Sequence, residues 1–329
     1  MIRIITNRKE IKNVSWQIVH EWEDDFVSYL NVAFLYKKEF HKNIIDKIRY
    51  NKTVVRFFPP VIDGGYKIVF QMLPPYEFNY FSSNKCLPII IDVWKSDLNR
   101  LKEFCTYNKW VFIGSLEALQ QLNTMGIKHL SYLPVSISKR YKLDEIPVKD
   151  IDLIVYGRNH LIMNSWIAKL KSETDFNIVE CAPDRTGQLC AWSSQTGYLG
   201  VVAERKYLMQ LIARSRYTAV SSPGNDELNE ADKLRTGGFS PVTPRFLEAA
   251  VNYSIGIGIF PANPDYTYCE IDKAAFSVNS YEELYKQLQQ KLDYEYWKQQ
   301  IDGFLELHWT DKRIEKVVHK IEQLKSQDY

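Results

Sequence analysis

Residues 231–261 read ADKLRTGGFSPVTPRFLEAAVNYSIGIGIFP, and the reading of this stretch decides the fold. It parses as a glycine-containing loop (Thr236, Gly237, Gly238), then a capped helix, then a short strand. Thr243 stands where an N-cap belongs, and Pro244 occupies the first helical position, where a missing N–H costs nothing. Beyond them Phe246, Leu247, Ala250 and Val251 form an apolar stripe, while Arg245, Glu248 and Asn252 fall at i, i+3, i+7 on one polar face. Ile255 to Phe260 reads as a buried strand. A Gly-Gly loop running into a helix N-terminus offers backbone N–H groups and a positive dipole end to an anion such as phosphate. Glu248, one turn further in, would sit beside whatever that phosphate carries. The plainer alternative is an ordinary helix with Arg245 and Glu248 as a solvated i,i+3 pair.

TGGFSPVTPRFLEAA followed by an Ile-Gly strand resembles the donor-binding signature of GT-B glycosyltransferases, the Leloir type that use nucleotide sugars. The resemblance implies an α/β chain of two Rossmann-like domains facing across a cleft, with C-terminal helices crossing back. Residues 1–140 would form the acceptor-side domain and 150–300 the donor-binding domain, with 301–329 bracing the first. Glu248 matches the family's ribose-holding Glu. The loop amides of Thr236, Gly237 and Gly238 match its diphosphate site, with Ser240, Thr243 and Arg245 on the same donor side. Retaining members usually carry a further Glu eight positions before the ribose Glu; Ser240 stands there, which leaves the stereochemical outcome open. Arg158, just after the expected first strand of the second domain, resembles the basic residue that reaches the donor diphosphate, a geometry that suits a guanidinium. The Lys often found about five residues on is replaced by Met163. Ser221-Ser222-Pro223 looks like the place where family members meet the nucleobase. Lys233 and Arg235 are further cationic partners for phosphate, Lys233 the favoured one, although both also read as solvated loop charges.

The bulk numbers bound these implications. A chain of 329 residues suggests two domains, and 45% hydrophobic with 25% charged residues describes an ordinary globular protein. A net charge of +2 argues against nucleic acid as a partner. Five scattered cysteines (Cys86, Cys105, Cys181, Cys190, Cys269) without a C-x-x-C pair read as reduced thiols in a cytoplasmic protein. MIRIITNRKE lacks the apolar run of a signal peptide, and no run is long enough to span a bilayer.

In the first half, Ile2–Thr6, Thr53–Phe58, Tyr66–Leu73, Leu87–Val93, Trp110–Ile113 and Leu130–Leu133 read as strands. Phe34–Tyr50, Leu98–Asn108 and Leu116–Thr124 read as helices, and Val14–Leu30 resists assignment because four acidic residues interrupt its aromatics. The alternation predicts a parallel sheet covered by helices. Asp92 follows the LPIIIDV strand at the carboxyl edge, where open α/β sheets place ligands. It is the candidate base for an acceptor hydroxyl, against the alternative of a helix cap. His20, His41 and His129 are not selected by any pattern, and Asp24-Asp25 reads as solvated surface.

Ser138–Asp150 is polar enough for an interdomain linker. Strand Ile151–Tyr156, helix Asn164–Ser172 and strand Phe176–Cys181 follow. Pro183–Gly200 reads as a long Gly/Ser/Thr/Gln-rich loop. Helix Ala203–Arg214, with Arg205 and Lys206 near its start, leads to strand Tyr217–Val220. The D-x-D pattern at Asp150-Ile151-Asp152 falls at the amino end of its strand, away from the ligand edge, so no metal site and no cofactor is expected. Lys312, Arg313, Lys316 and Lys320 make the last helix basic on one side, either a solvated face or a weak attraction to an anionic membrane. The expected activity is transfer of a sugar from a nucleotide diphosphate to a glycan or lipid-linked acceptor in the cytoplasm, in bacterial surface-glycan assembly. An epimerase or hydrolase of the same fold, or a non-catalytic subunit, remains the alternative.

Overall fold

The computed structural model describes residues 1–9, 11, 14–36, 65–72, 85–106, 108–222, 224, 226 and 228–327. The chain divides into two compact units, Met1–Ser136 with Thr310–Tyr329, and Ile137–Trp309.

The first unit is built on a parallel sheet in the order β2-β1-β3-β4-β5-β6. Its strands are β1 (Ile2–Thr6), β2 (Phe34–Tyr36), β3 (Tyr66–Gln71), β4 (Cys86–Ile90), β5 (Val111–Ile113) and β6 (Leu130–Tyr132). Strands β3 and β4 are buried almost throughout, Lys67 of β3 included, and β4 reads as a continuous apolar run for that reason. Helices α1 (Val14–Leu30), α2 (Leu98–Cys105) and α3 (Leu116–Thr124) follow β1, β4 and β5. α1 is the stretch whose pattern was unreadable. It buries Ile18, Val19, Trp22 and Phe26, but also Glu21 and Glu23, so its acidic residues do not mark a solvent face. Phe34–Tyr36 is a strand where a helix was expected: three bulky residues pair with Ile4, Ile5 and Thr6 of β1. The rest of that expected helix, the strand at Thr53–Phe58 and His41 lie outside the described residues.

The second unit carries β7 (Ile151–Tyr156), β8 (Ile178–Pro183), β9 (Leu189–Ser193), β10 (Gly197–Val201), β11 (Ser215–Ala219), β12 (Ile255–Gly258) and β13 (Ala275–Ser277). Their order is β10-β9-β8-β7-β11-β12-β13. All neighbours are parallel except β8–β9 and β9–β10. The Pro183–Gly200 stretch is therefore mostly a hairpin added to the sheet edge rather than a loop. Asp184 closes its first turn by accepting from Thr186 and Gln188 N–H at 2.8 and 3.0 Å, and Ser193 accepts from Gln195 and Thr196 N–H at the second.

The second unit's helices are α4 (Leu161–Glu173), α5 (Arg205–Ala213), α6 (Glu230–Thr236), α7 (Pro244–Val251), α8 (Pro264–Tyr268), α9 (Tyr281–Gln289) and α10 (Tyr294–His308). Its core joins Leu153, Val155, Ile167, Leu170, Tyr217, Ile255, Ile257, Leu284 and Leu288. Gly258 is required where β12 runs beside the chain leaving β11, because a Cβ there would lie 1.6 Å from the Val220 carbonyl oxygen.

The last helix, α11 (Thr310–Ser326), belongs to the first unit and packs on α1 through a stripe of Ile314, Val317, Ile321 and Leu324. Its cations are partly spent there. Arg313 donates to the Pro134 and Val135 carbonyls, and the Lys320 ammonium lies 3.5 Å from the centre of the Trp110 ring. All five cysteines are free and buried. Among the described residues no helix is long and apolar enough to cross a membrane.

Candidate functional site

In the second sheet the chain leaves β7 towards β8 on one side, while β11 continues towards β12 on the other. The crevice at the carboxyl ends of β7 and β11 is thus a topological switch point, the place where open α/β sheets bind ligands. A pocket of about 730 Å3 opens there, lined by His160, Ile162, Gly224, Asp226, Leu228, Lys233, Gly237, Gly238 and Ile259. That size suits a small organic ligand. These residues follow β7, β11 and β12 or lie on α6 and its C-cap.

Lys233, Gly237 and Gly238, all expected at the site, meet in this pocket. Gly237 and Gly238 do not form a loop that opens a helix; they close α6. Gly237 is its left-handed C-cap (φ 56°) and Gly238 follows at φ 88°. The consequence corrects the expected amide pair. The Gly237 N–H is spent on the Lys233 carbonyl at 2.9 Å, whereas the Gly238 N–H has only a 3.4 Å contact with Thr236 Oγ1. Lys233 is 58% exposed, with Glu230 at 3.7 Å. Thr236 is fully buried. Arg158 is 62% exposed and pairs with Asp232 at 3.3 Å, and Arg235 shares the same carboxylate at 2.9 Å.

Residues 239–243 intervene before α7. Thr243 occupies the N-cap, but its hydroxyl makes no cap bond, and its buried Oγ1 has no hydrogen-bond partner. Ser240 is buried and tied to Ser222 by a hydroxyl–hydroxyl hydrogen bond. Both serines expected on the nucleobase side give their carbonyls to neighbours: Ser221 to Arg245 at 2.8 Å, and Ser222 to His160. Met163, where a Lys was looked for, is fully buried on the core face of α4.

The polar face of α7 is not solvated. Glu248 is 4% exposed and Asn252 3%. Arg245 donates to the Tyr156 and Ser221 carbonyls and to Asn159 Oδ1, bracing the ends of β7 and β11; burial lowers its pKa. It does not pair with Glu248. That carboxylate takes Arg205 on one oxygen and the Tyr156 hydroxyl, at 2.5 Å, on the other. Burial, and then the Glu248 charge, push the Tyr156 phenol well above its ordinary range. Sequence reading missed this grip. Arg205 and Glu248 are 43 residues apart, and nothing in their spacing signals a contact.

Asp92 lies two residues past β4 in the first unit, half-buried, with its N–H on the Met72 carbonyl at 2.7 Å. Asp150 and Asp152, the D-x-D pair, are met by Arg214 and Arg216 at the start of β7. Among the described residues no three His, Cys, Asp or Glu side chains gather as metal ligands would.

The same two-unit α/β arrangement of elements recurs in known structures. WaaG, a glycosyltransferase involved in lipopolysaccharide biosynthesis, aligns over 98% of this chain and 99% of its own at 11% identity, with a TM-score of 0.57. The fold is GT-B. The UDP-GlcNAc 2-epimerase of Methanocaldococcus jannaschii covers 98% of this chain and 99% of its own at 13% identity and TM-score 0.45. The pneumococcal O-GlcNAc transferase GtfA, solved with UDP and GlcNAc, covers 91% of this chain and 59% of its own at 11% identity and TM-score 0.41. No family model and no curated protein sequence matches the chain.

Proposed function

We propose that this protein is a metal-independent glycosyltransferase that moves a sugar from a nucleoside diphosphate to an acceptor hydroxyl, in the assembly of a bacterial surface glycan. The observation that carries this reading is the switch-point pocket of the second unit, which joins a lysine, a left-handed glycine turn and apolar walls at one strand edge. Lys233 and the Gly238 amide would receive the diphosphate, with Arg158 released from Asp232 to join them. Charge growing on the leaving diphosphate is then met by preorganised donors, which is the larger part of many enzymes' rate enhancement. Glu248, fixed by Arg205 and Tyr156, keeps lone pairs on both oxygens for a ribose hydroxyl. Ser221, Ser222, Thr236, Ser240, Thr243 and Arg245 shape the donor side, the last by holding the ends of β7 and β11 in place. Asp92 is the proposed base for the acceptor. The donor is a substrate, and no cofactor is invoked.

The burial of Glu248 favours one second reading, a GT-B-like subunit that binds a nucleotide without transferring its sugar. One experiment tests both. Purified protein is titrated with a panel of nucleoside diphosphates, then supplied with the matching nucleotide sugars and an extract of acceptor glycans while free nucleotide is read out. Binding with acceptor-dependent release supports the transferase, and binding without release supports the subunit. No binding to any diphosphate overturns both.

A further inference from the structure

The lining of the pocket is chemically mixed. Lys233 and Gly238 offer a cation and an amide. The segment after β11 contributes Gly224, Asp226 and Leu228, and the start of α4 contributes His160 and Ile162. Leu228 is 62% and Ile162 40% exposed, two large apolar side chains bordering the pocket, suited to a flat, weakly hydrated partner. Asp226 is 4% exposed and is the one carboxylate among the described lining residues. Two backbone amides hold it. Oδ2 accepts the Leu161 N–H at 3.1 Å and Oδ1 the Leu228 N–H at 3.3 Å, so each oxygen keeps a lone pair.

We propose that the lining around Asp226 reads the nucleobase and that Asp226 selects guanine. A carboxylate accepts on two oxygens held in one plane. Guanine presents two adjacent donors on one edge, N1–H and the 2-amino group, which match that pair. Uracil presents a single N3–H between two carbonyls, which would face the negative oxygens. Adenine and cytosine each place an amino donor beside a bare ring acceptor. A buried site that satisfies both donors also penalises a base lacking one of them, because the carboxylate then loses water without compensation. The inference rests on reading the pocket as the donor site and adds which donors it takes.

Calorimetric titration of the full chain with GDP, IDP, UDP, ADP and CDP tests it. Hypoxanthine keeps N1–H but lacks the 2-amino group, so IDP should bind about tenfold or more weakly than GDP, the effect of one hydrogen bond to a charged group. UDP, ADP and CDP should be weaker still. Equal affinity for GDP and IDP, or tighter binding of another diphosphate, overturns guanine selection and leaves the donor-site reading standing. No binding by any diphosphate removes the donor site itself. In Asp226→Asn, monitored by circular dichroism for folding, the GDP-to-IDP ratio should collapse towards unity; a ratio that survives in the folded variant assigns the 2-amino contact elsewhere and overturns the proposal.

Discussion

Each unit clamps a buried glutamate near the carboxyl end of its sheet, and the two are used differently. In the first unit Glu23, from α1, takes the Thr6 hydroxyl at 2.6 Å, Arg8 at 3.1 Å and His20 at 3.3 Å. In the second, Glu248, from α7, takes Arg205 and Tyr156. Arg8 is 24% exposed and shares a second carboxylate, Asp24, at 2.7 Å, whereas Arg205 is 5% exposed. The deeper pair lies in the unit whose strand ends also border a large polar-and-apolar pocket. A carboxylate clamped at a strand end is thus in itself a fastening of helix to sheet. What marks a site is a pocket at the strand ends and the donors left unspent there.

The largest expected effect comes from breaking the deeper pair. Glu248→Ala removes the carboxylate facing the buried Arg205 guanidinium and should cost about 3–5 kcal/mol in urea denaturation; a loss under ~1 kcal/mol would show that the pair is hydrated in solution. Glu23→Ala should cost less, about 1–3 kcal/mol, because Arg8 retains Asp24 and some water. Nucleoside diphosphate affinity should stay unchanged in Glu23→Ala, and a drop there would erase the contrast between the units. Lys233→Ala should leave stability within ~0.5 kcal/mol and weaken diphosphate binding about tenfold, with a shallower salt dependence of affinity.

The pH response should have opposite signs in the two units. In the second, the Lys149 ammonium donates to the Ala213 and Asn252 carbonyls, and burial pulls its pKa down to about 7. The unfolded chain then binds the extra proton between about pH 7 and the ordinary lysine value, so stability should rise with pH through that window, by as much as about 1.4 kcal/mol per pH unit. Lys149→Met should flatten the slope. In the first unit burial lowers the His20 pKa, but the Glu23 carboxylate and the Ile11 carbonyl outweigh it, and the net shift is upward from 6.5. That contribution is complete below pH 6.5 and is lost as pH rises through the raised folded value, by under ~1 kcal/mol. Unit-resolved hydrogen exchange from pH 6 to 9 reads both, and slopes of the same sign would contradict the pairing of one or the other.

Much of the fold was legible because it is written in local periodicity. LPIIIDV read as a buried parallel strand, which forms over Cys86–Ile90, and Thr243-Pro244 read as the opening of a helix, which forms from Pro244. The elements that escaped reading were those whose side chains answer to distant partners. α1 hid because Glu23 is satisfied by residues of the β1 end rather than by water. Pro183–Gly200 hid because turn-forming residues and strand residues alternate within one hairpin. At the site, the sequence brought Lys233, Gly238 and the α7 helix into view, since a glycine pair and a proline-opened helix are local signals. Arg205, Tyr156 and Asp226 carried no such signal, because a lone arginine, tyrosine or aspartate looks the same whether it faces solvent or a buried partner.

By itself, then, the sequence determined the α/β alternation, the parallel core and the glycine-pair and proline-opened helix of residues 231–261, because hydrophobic period and backbone-restricted residues act over a few positions. Only the tertiary structure decided that Gly237 ends a helix rather than starting one, that Glu248 is gripped from 43 residues away, and that Asp226 borders the pocket. Those outcomes depend on which strand ends the sheet order brings together, and a burial energy shared among distant residues leaves no trace in their spacing.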